Sequence, residues 1–247
     1  MRLSEKVALI TGSNKGIGLS IVRKFLEEGA FVYAGIRNID EVSDDLKLLQ
    51  SRFTNNLIIT NLDVTNSNDC KEVIQAIKIE KGKIDILVNN AGIVSYELLP
   101  FLDFDKFNLM VQTNLIGLVR VSQLASRIMV KQKSGSIINI SSIVAVKGVS
   151  GQAAYSATKG AVNSFTLSLA KELSSSGIRV NALAPGMVSS ERLIAISGKK
   201  FSEKLNQIGF GRMATTDEIA NVCLFFAGDE SKYITGQIVG VDGGIII

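Results

Sequence analysis

Seven short, β-rich apolar runs punctuate the chain, at residues 7–11, 31–35, 57–60, 84–89, 136–141, 179–184 and 237–241. Longer segments of helical period lie between them, at 16–28, 39–52, 67–81, 103–131, 153–175 and 216–227. Such alternation predicts an α/β fold: a doubly wound parallel sheet with helices on both faces. The runs are nearly all apolar rather than alternating, as strands buried on both faces require. No linker, repeat or low-complexity tract interrupts the pattern, so residues 1–247 read as one domain.

The first run leads into Thr11, Gly12, Ser13, Asn14, Lys15, Gly16, Ile17 and Gly18, and a helix follows whose apolar side is Ile17, Ile21, Val22, Phe25 and Leu26. A glycine-rich turn at a helix N-terminus lets backbone amides approach a phosphate, and the helix dipole favours the anion. The spacing is G-x-x-x-G-x-G rather than the commonest dinucleotide fingerprint. The second run ends Ala34, Gly35, Ile36, Arg37, with no carboxylate to hold a ribose 2′-hydroxyl. Lys15 and Arg37 converging on a 2′-phosphate favour NADPH over NADH; the alternative is two solvated surface charges. Asp63 and Val64 follow the third run, where a carboxylate accepts from an adenine amino group or caps a helix. Asn89, Asn90, Ala91 and Gly92 end the fourth with small residues, allowing close backbone approach of a ligand at the carboxyl edge of the sheet.

The chain contains no histidine, so proton chemistry must fall to a tuned Tyr, Lys or carboxylate. Tyr155 and Lys159 are four residues apart, hence one helical turn apart on one face. A neighbouring ammonium favours the phenolate and brings the phenol toward proton transfer near neutral pH. Ser142 ends the fifth run, where its hydroxyl can bond the oxygen that Tyr155 protonates. Taken alone, the pair also fits a half-buried Tyr beside a surface Lys. Asn114 sits within a long apolar helical segment, a poor position for Asn, and either faces solvent or bonds something specific. Pro185 and Gly186 form a turn able to present backbone groups to a nicotinamide, and segment 189–211 reads as a lid over substrate or an ordinary helical excursion.

Cys70 and Cys223 match no metal or redox spacing, and no metal site is expected. No uncharged apolar run reaches membrane-spanning length, and the N-terminal apolar stretch is too short for a signal peptide, so a soluble, cytoplasmic protein is expected. The net charge of +4 is spread along the chain without a basic block, which suits anionic ligands and points away from nucleic acid.

In this order, the 11–18 turn, Asp63, the Asn89–Gly92 stretch, Asn114, Ser142, the Tyr155–Lys159 pair and the Pro185–Gly186 turn resemble the short-chain dehydrogenase/reductase family over essentially the whole chain. The resemblance implies a seven-stranded Rossmann-like fold and a catalytic tetrad of Asn114, Ser142, Tyr155 and Lys159. It implies a cofactor-binding set of Gly12, Ser13, Asn14, Lys15, Gly16, Ile17, Gly18, Arg37, Asp63, Val64, Asn90, Ala91, Gly92, Tyr155, Lys159, Pro185, Gly186, Val188 and Ser190. Within the family the chain is most similar to the 3-oxoacyl-[acyl-carrier-protein] reductases of fatty acid synthesis, which implies NADPH, a carrier-bound substrate and a homotetramer built partly through helices 103–131 and 153–175. Carrier docking there uses cations near the ends of both helices; Lys131 and Lys133 match one group, and Ser174, Ser175, Ser176 and Gly177 supply none. Other expected readings are a dehydrogenase of a sugar, polyol, steroid or other secondary alcohol, and an NADP-binding regulator without turnover.

Overall fold

The computed structural model describes residues 1–189 and 205–245. Strands β1 (Val7–Thr11), β2 (Phe31–Ile36), β3 (Leu57–Asn61), β4 (Ile86–Asn89), β5 (Gly135–Ile140), β6 (Ile178–Pro185) and β7 (Ile238–Val241) form one all-parallel sheet in the order β3-β2-β1-β4-β5-β6-β7. All strand C-termini therefore share one edge. The order reverses direction between β1 and β4, the kind of place where open α/β sheets bind ligands.

The connecting helices are α1 (Gly16–Glu27), α2 (Asp44–Arg52), α3 (Ser67–Lys81), α4 (Phe104–Val111), α5 (Leu118–Gln132), the short α6 (Val144–Lys147), α7 (Ala153–Ser174) and α8 (Thr216–Ala227). Side chains alternate across each strand. Ala8 and Ile10 of β1 join the apolar layer of α1, α2 and α8, which contains Phe25, Leu46, Ile219 and Phe226. Val7 and Leu9 join the opposite layer of α3, α5 and α7, which contains Ile77, Val121 and Ala170.

The seven strands fall where the apolar runs predict them, with ends moved by one or two residues, as at β4. Two helical expectations need correction. Segment 39–52 is a 3₁₀ turn, Ile39–Glu41, then a break and α2; Ser43 stops the first piece and caps the second, its Oγ accepting from the Leu46 amide at 3.3 Å. Segment 103–131 is α4 and α5 joined by a π-helical turn, Gln112–Gly117. Gly117 lies so close to Val64 that a Cβ there would sit 2.7 Å from Val64 Cγ2. The α6 turn falls in a stretch with no expected element.

Candidate active site

The phosphate-cradle candidate is built on close backbone approach. Gly12 has φ +67°, and a Cβ on it would lie 2.8 Å from Ala91 Cα; a Cβ on Gly18 would lie 2.2 Å from the Gly12 carbonyl oxygen. The β1 and β4 loops are stitched together here. Thr11 Oγ1 accepts from the Asn90 and Ala91 amides, each at 3.0 Å, and Asn90 Nδ2 donates to the carbonyls of Thr11 at 3.0 Å and Gly12 at 2.9 Å. Thr11 was legible as part of the glycine turn, but its service to the β4 loop was not.

Ser13 turns inward: its amide donates to Gly35 O at 3.0 Å and its hydroxyl to Ile10 O at 2.7 Å. Asn14 faces the β2–α2 loop, donating to Glu41 O at 2.7 Å and accepting from the Ser43 amide at 2.8 Å, while Ser43 Oγ donates to Asn14 O at 2.6 Å. Lys15 precedes α1, and Arg37 follows β2, one strand away. Both are exposed and make no ion pair among the described residues. Asp63 Oδ1 accepts from the Thr65 amide at 2.8 Å and hydroxyl at 2.7 Å, while Asn66 caps α3. Val64 is buried, its carbonyl held by Arg120 at 2.7 Å.

Asn114 does not face solvent. It is fully buried in the π-helical turn. Its Oδ1 accepts from the Ile93 amide at 2.8 Å, and its Nδ2 donates to Ile93 O at 2.9 Å and Thr158 Oγ1 at 3.1 Å. The amide thus clamps the segment after Gly92 to α7. Ser142 is half-buried beyond β5, its Oγ accepting from the Val144 amide at 3.4 Å.

Tyr155 and Lys159 stand one turn apart on α7, with Lys159 Nζ 6.0 Å from the Tyr155 ring centroid. Lys159 is 4% exposed, and its Nζ donates to Ile140 O at 2.7 Å. Burial pushes its pKa down from the ordinary 10.5 to about 8, so the ammonium persists at neutral pH. A Cβ on Gly92 would lie 3.3 Å from Asn114 Oδ1 and 3.5 Å from Lys159 Nζ, which puts the Gly92 backbone against both groups. The Tyr155 ring packs on a separate apolar cluster of Ile143, Val144, Ile208 and Ile245.

The Pro185 carbonyl accepts from the Ile143 amide at 2.9 Å and the Gly186 amide donates to Val241 O at 3.0 Å, so both groups already serve the sheet edge. Val188 is buried beside them. Ser190 and most of the proposed 189–211 lid lie outside the described residues. Among the described residues no group of His, Cys, Asp or Glu could hold a metal ion, and no helix is long and apolar enough to cross a membrane.

The chain matches the family described as Enoyl-(Acyl carrier protein) reductase (adh_short_C2) over residues 12–246. It is 39% identical over 250 residues to the 3-oxoacyl-[acyl-carrier-protein] reductase FabG of Thermotoga maritima, covering 100% of both chains. It is 39% identical over 244 residues to that of Staphylococcus aureus strain Mu50, covering 97% of this chain and 98% of the relative. Among solved structures it resembles ElxO with NADP bound, at TM-score 0.91 and 34% identity over 97% of this chain and 98% of that one. It also resembles gox2181, at TM-score 0.93 and 32% identity over 98% and 96%.

Proposed function

The chain belongs to the short-chain dehydrogenase/reductase family of oxidoreductases, and on that premise we propose that it reduces a ketone to a secondary alcohol with NADPH, its leading substrate a 3-oxoacyl thioester on acyl carrier protein. The observation that carries this reading is the Tyr155–Lys159 pair, one turn apart on α7, with Lys159 buried against Ile140 O beside Gly92. The glycine turn fits a dinucleotide, because Gly12 and Gly18 let the end of β1, the β4 loop and the first turn of α1 pack at backbone distance where the strand order reverses, leaving a helix N-terminus to face a phosphate.

Residues 12–18, Asp63, Val64, residues 90–92, Val188 and Ser190 would hold the cofactor, with Lys15 and Arg37 on its 2′-phosphate. When bound, NADPH supplies the hydride. Tyr155 gives its proton to the substrate oxygen as negative charge develops there. Lys159 favours the resulting phenolate and holds the nicotinamide ribose. Ser142 donates a hydrogen bond to the same oxygen and fixes its position. Asn114 keeps Gly92 beside Lys159 and holds a water through which the Lys159 proton is replenished from solvent.

An acidic carrier is favoured by Lys131 and Lys133, both exposed at the end of α5. The Ser176–Gly177 turn adjoins them, since a Cβ on Gly177 would sit 2.5 Å from Lys133 O, and Lys171 in the last turn of α7 is a nearby cation. Self-association is favoured by Phe104, Leu109 and Ile116 along the α4–α5 rod and Leu167 on α7, all large, apolar and exposed. We place the protein in the cytoplasm, working as one domain per chain.

The test is NADPH consumption with an acetoacetyl thioester, beside a panel of ketoses and steroid ketones. Tyr155→Phe is expected to lower turnover by ~10²-fold or more, the scale of a lost general acid, while NADPH still binds. Near-parental turnover in that variant would refute the reading. Activity confined to the ketose or steroid arms would reassign the substrate and leave the chemistry in place.

A further inference from the structure

The face of the sheet beneath α5 and α7 changes character toward its carboxyl edge. Along β4 the residues on that face run from Leu87 to Asn89, and along β5 from Ile137 to Asn139 and then Ser141. All three polar residues are buried. Facing them, α7 presents Lys159, Asn163 and Thr166, a spacing of four and three that aligns them on one side of the helix. Three rungs close the gap. Lys159 Nζ donates to Ile140 O at 2.7 Å, Ser141 Oγ to Asn163 Oδ1 at 2.6 Å, and Asn139 Nδ2 to Thr166 Oγ1 at 2.9 Å. Ser141 Oγ also lies 3.3 Å from the Lys159 carbonyl, so its one proton, given mainly to the nearer Asn163 Oδ1, is within reach of the backbone of Lys159 itself.

An apolar seam would hold the helix as firmly, since replacing both partners of a buried hydrogen bond by fitting apolar groups is nearly neutral. It would not fix the position of the helix along the strand as closely. Dispersion contacts change little over a few tenths of an ångström, whereas a hydrogen bond constrains both distance and angle.

We propose that Ser141 and Asn163 are positioning residues, whose hydroxyl–amide bond sets where Lys159, and with it Tyr155, stands relative to Ser142. The proposal deepens the reductase reading and rests on it for its kinetic consequence. It concerns two side chains that touch neither substrate nor cofactor in the mechanism above.

The decisive variant is Ser141→Ala with Asn163→Leu, which exchanges the bond for an apolar contact. The melting temperature is expected to hold. Turnover is expected to fall about tenfold or more, because small misplacements of reacting groups are costly. KM for NADPH is expected to change by less than turnover does, since only the Lys159 contact to the nicotinamide ribose shifts while the contacts proposed for the phosphates and adenine are untouched. Ser141→Thr alone, which keeps the hydroxyl opposite Asn163, is expected to retain turnover. The second readout needs no reaction: the ¹⁵Nζ resonance of Lys159, whose titration midpoint is expected to move in the double variant. Tyr155 is the titratable neighbour that the structure places beside that ammonium.

Unchanged turnover and midpoint in a stable double variant would overturn the proposal, as would losses that merely track melting temperature. If the parent reduces no ketone, the reductase reading fails, and the Lys159 midpoint alone then decides the positioning claim. If the double variant does not fold, Ser141→Ala against Ser141→Thr supplies the same contrast.

Discussion

On one face of β5, Ile138 and Ile140 enter the apolar layer beneath α1 and α8; on the other, Asn139 and Ser141 meet α7 through hydrogen bonds. The first seam is sealed mainly by Phe25, Ile219, Cys223 and Phe226, with Ser20–Thr216 and Arg23–Asp217 contacts between α1 and α8 and one buried bond, Ser136 Oγ to Phe226 O at 2.8 Å, at the amino end of β5. The second gathers its buried polar side chains at the carboxyl edge, beside Ser142 and Lys159. The difference teaches where each kind of contact is useful. Apolar burial stabilises without direction. Buried hydrogen bonds add little net stability but fix geometry, and here they stand beside the groups proposed to move a proton.

The comparison breaks if the two seams respond alike. Phe25→Ala, in the mainly apolar seam, is expected to cost about 3–5 kcal/mol of stability while the folded fraction keeps its turnover; denaturant unfolding with parallel kinetics measures both. Lys159→Met, in the polar seam, should act in the opposite sense on stability and abolish activity. The Lys159 ammonium titrates near 10.5 when unfolded and at about 8 in the fold. Between those values the unfolded chain binds more protons, so parental stability rises with pH across that window, by about 3 kcal/mol in total. That contribution is present above 10.5 and lost as pH falls through 8. The variant should lack the rise, and unfolding midpoints measured from neutral to strongly alkaline pH would show it.

A third change sharpens the contrast by lying in neither seam. Lys15→Ala and Arg37→Ala are each expected to raise KM for NADPH by about tenfold, the scale of removing one charge-assisted hydrogen bond. KM for NADH and the melting temperature should stay nearly unchanged. An equal effect on both cofactors would remove these cations from the 2′-phosphate.

The sheet was legible because doubly buried strands leave continuous apolar runs, and the cradle because glycine is the residue such approaches require. The spacing put Tyr155 and Lys159 on one helical face, but it fitted a surface Lys equally well, and the burial of Lys159 was not legible. Other features were not, for identifiable reasons. A π-helical turn adds one residue to a helix without disturbing its apolar rhythm enough to show. Gly117 beside an isolated Asn114 was the available signal. The break in 39–52 was signalled by Ser43 before two acidic residues, the pattern of a helix start. Asn163 and Thr166 were illegible because a polar residue on a helix reads as solvent-facing unless its partner is known, and Ser141 and Asn139 lie twenty-two and twenty-seven residues away.

The bonds from Asn14 to Glu41 and Ser43 weld the turn after β1 to the one after β2. Grafting a whole foreign loop at 37–43 would therefore cut three fastenings and slacken the turn proposed to receive the pyrophosphate. Single replacements at Arg37, which takes no part in those bonds, leave the weld intact, so if Arg37 sets coenzyme choice as proposed, changing it point by point spares the turn where a cassette exchange does not.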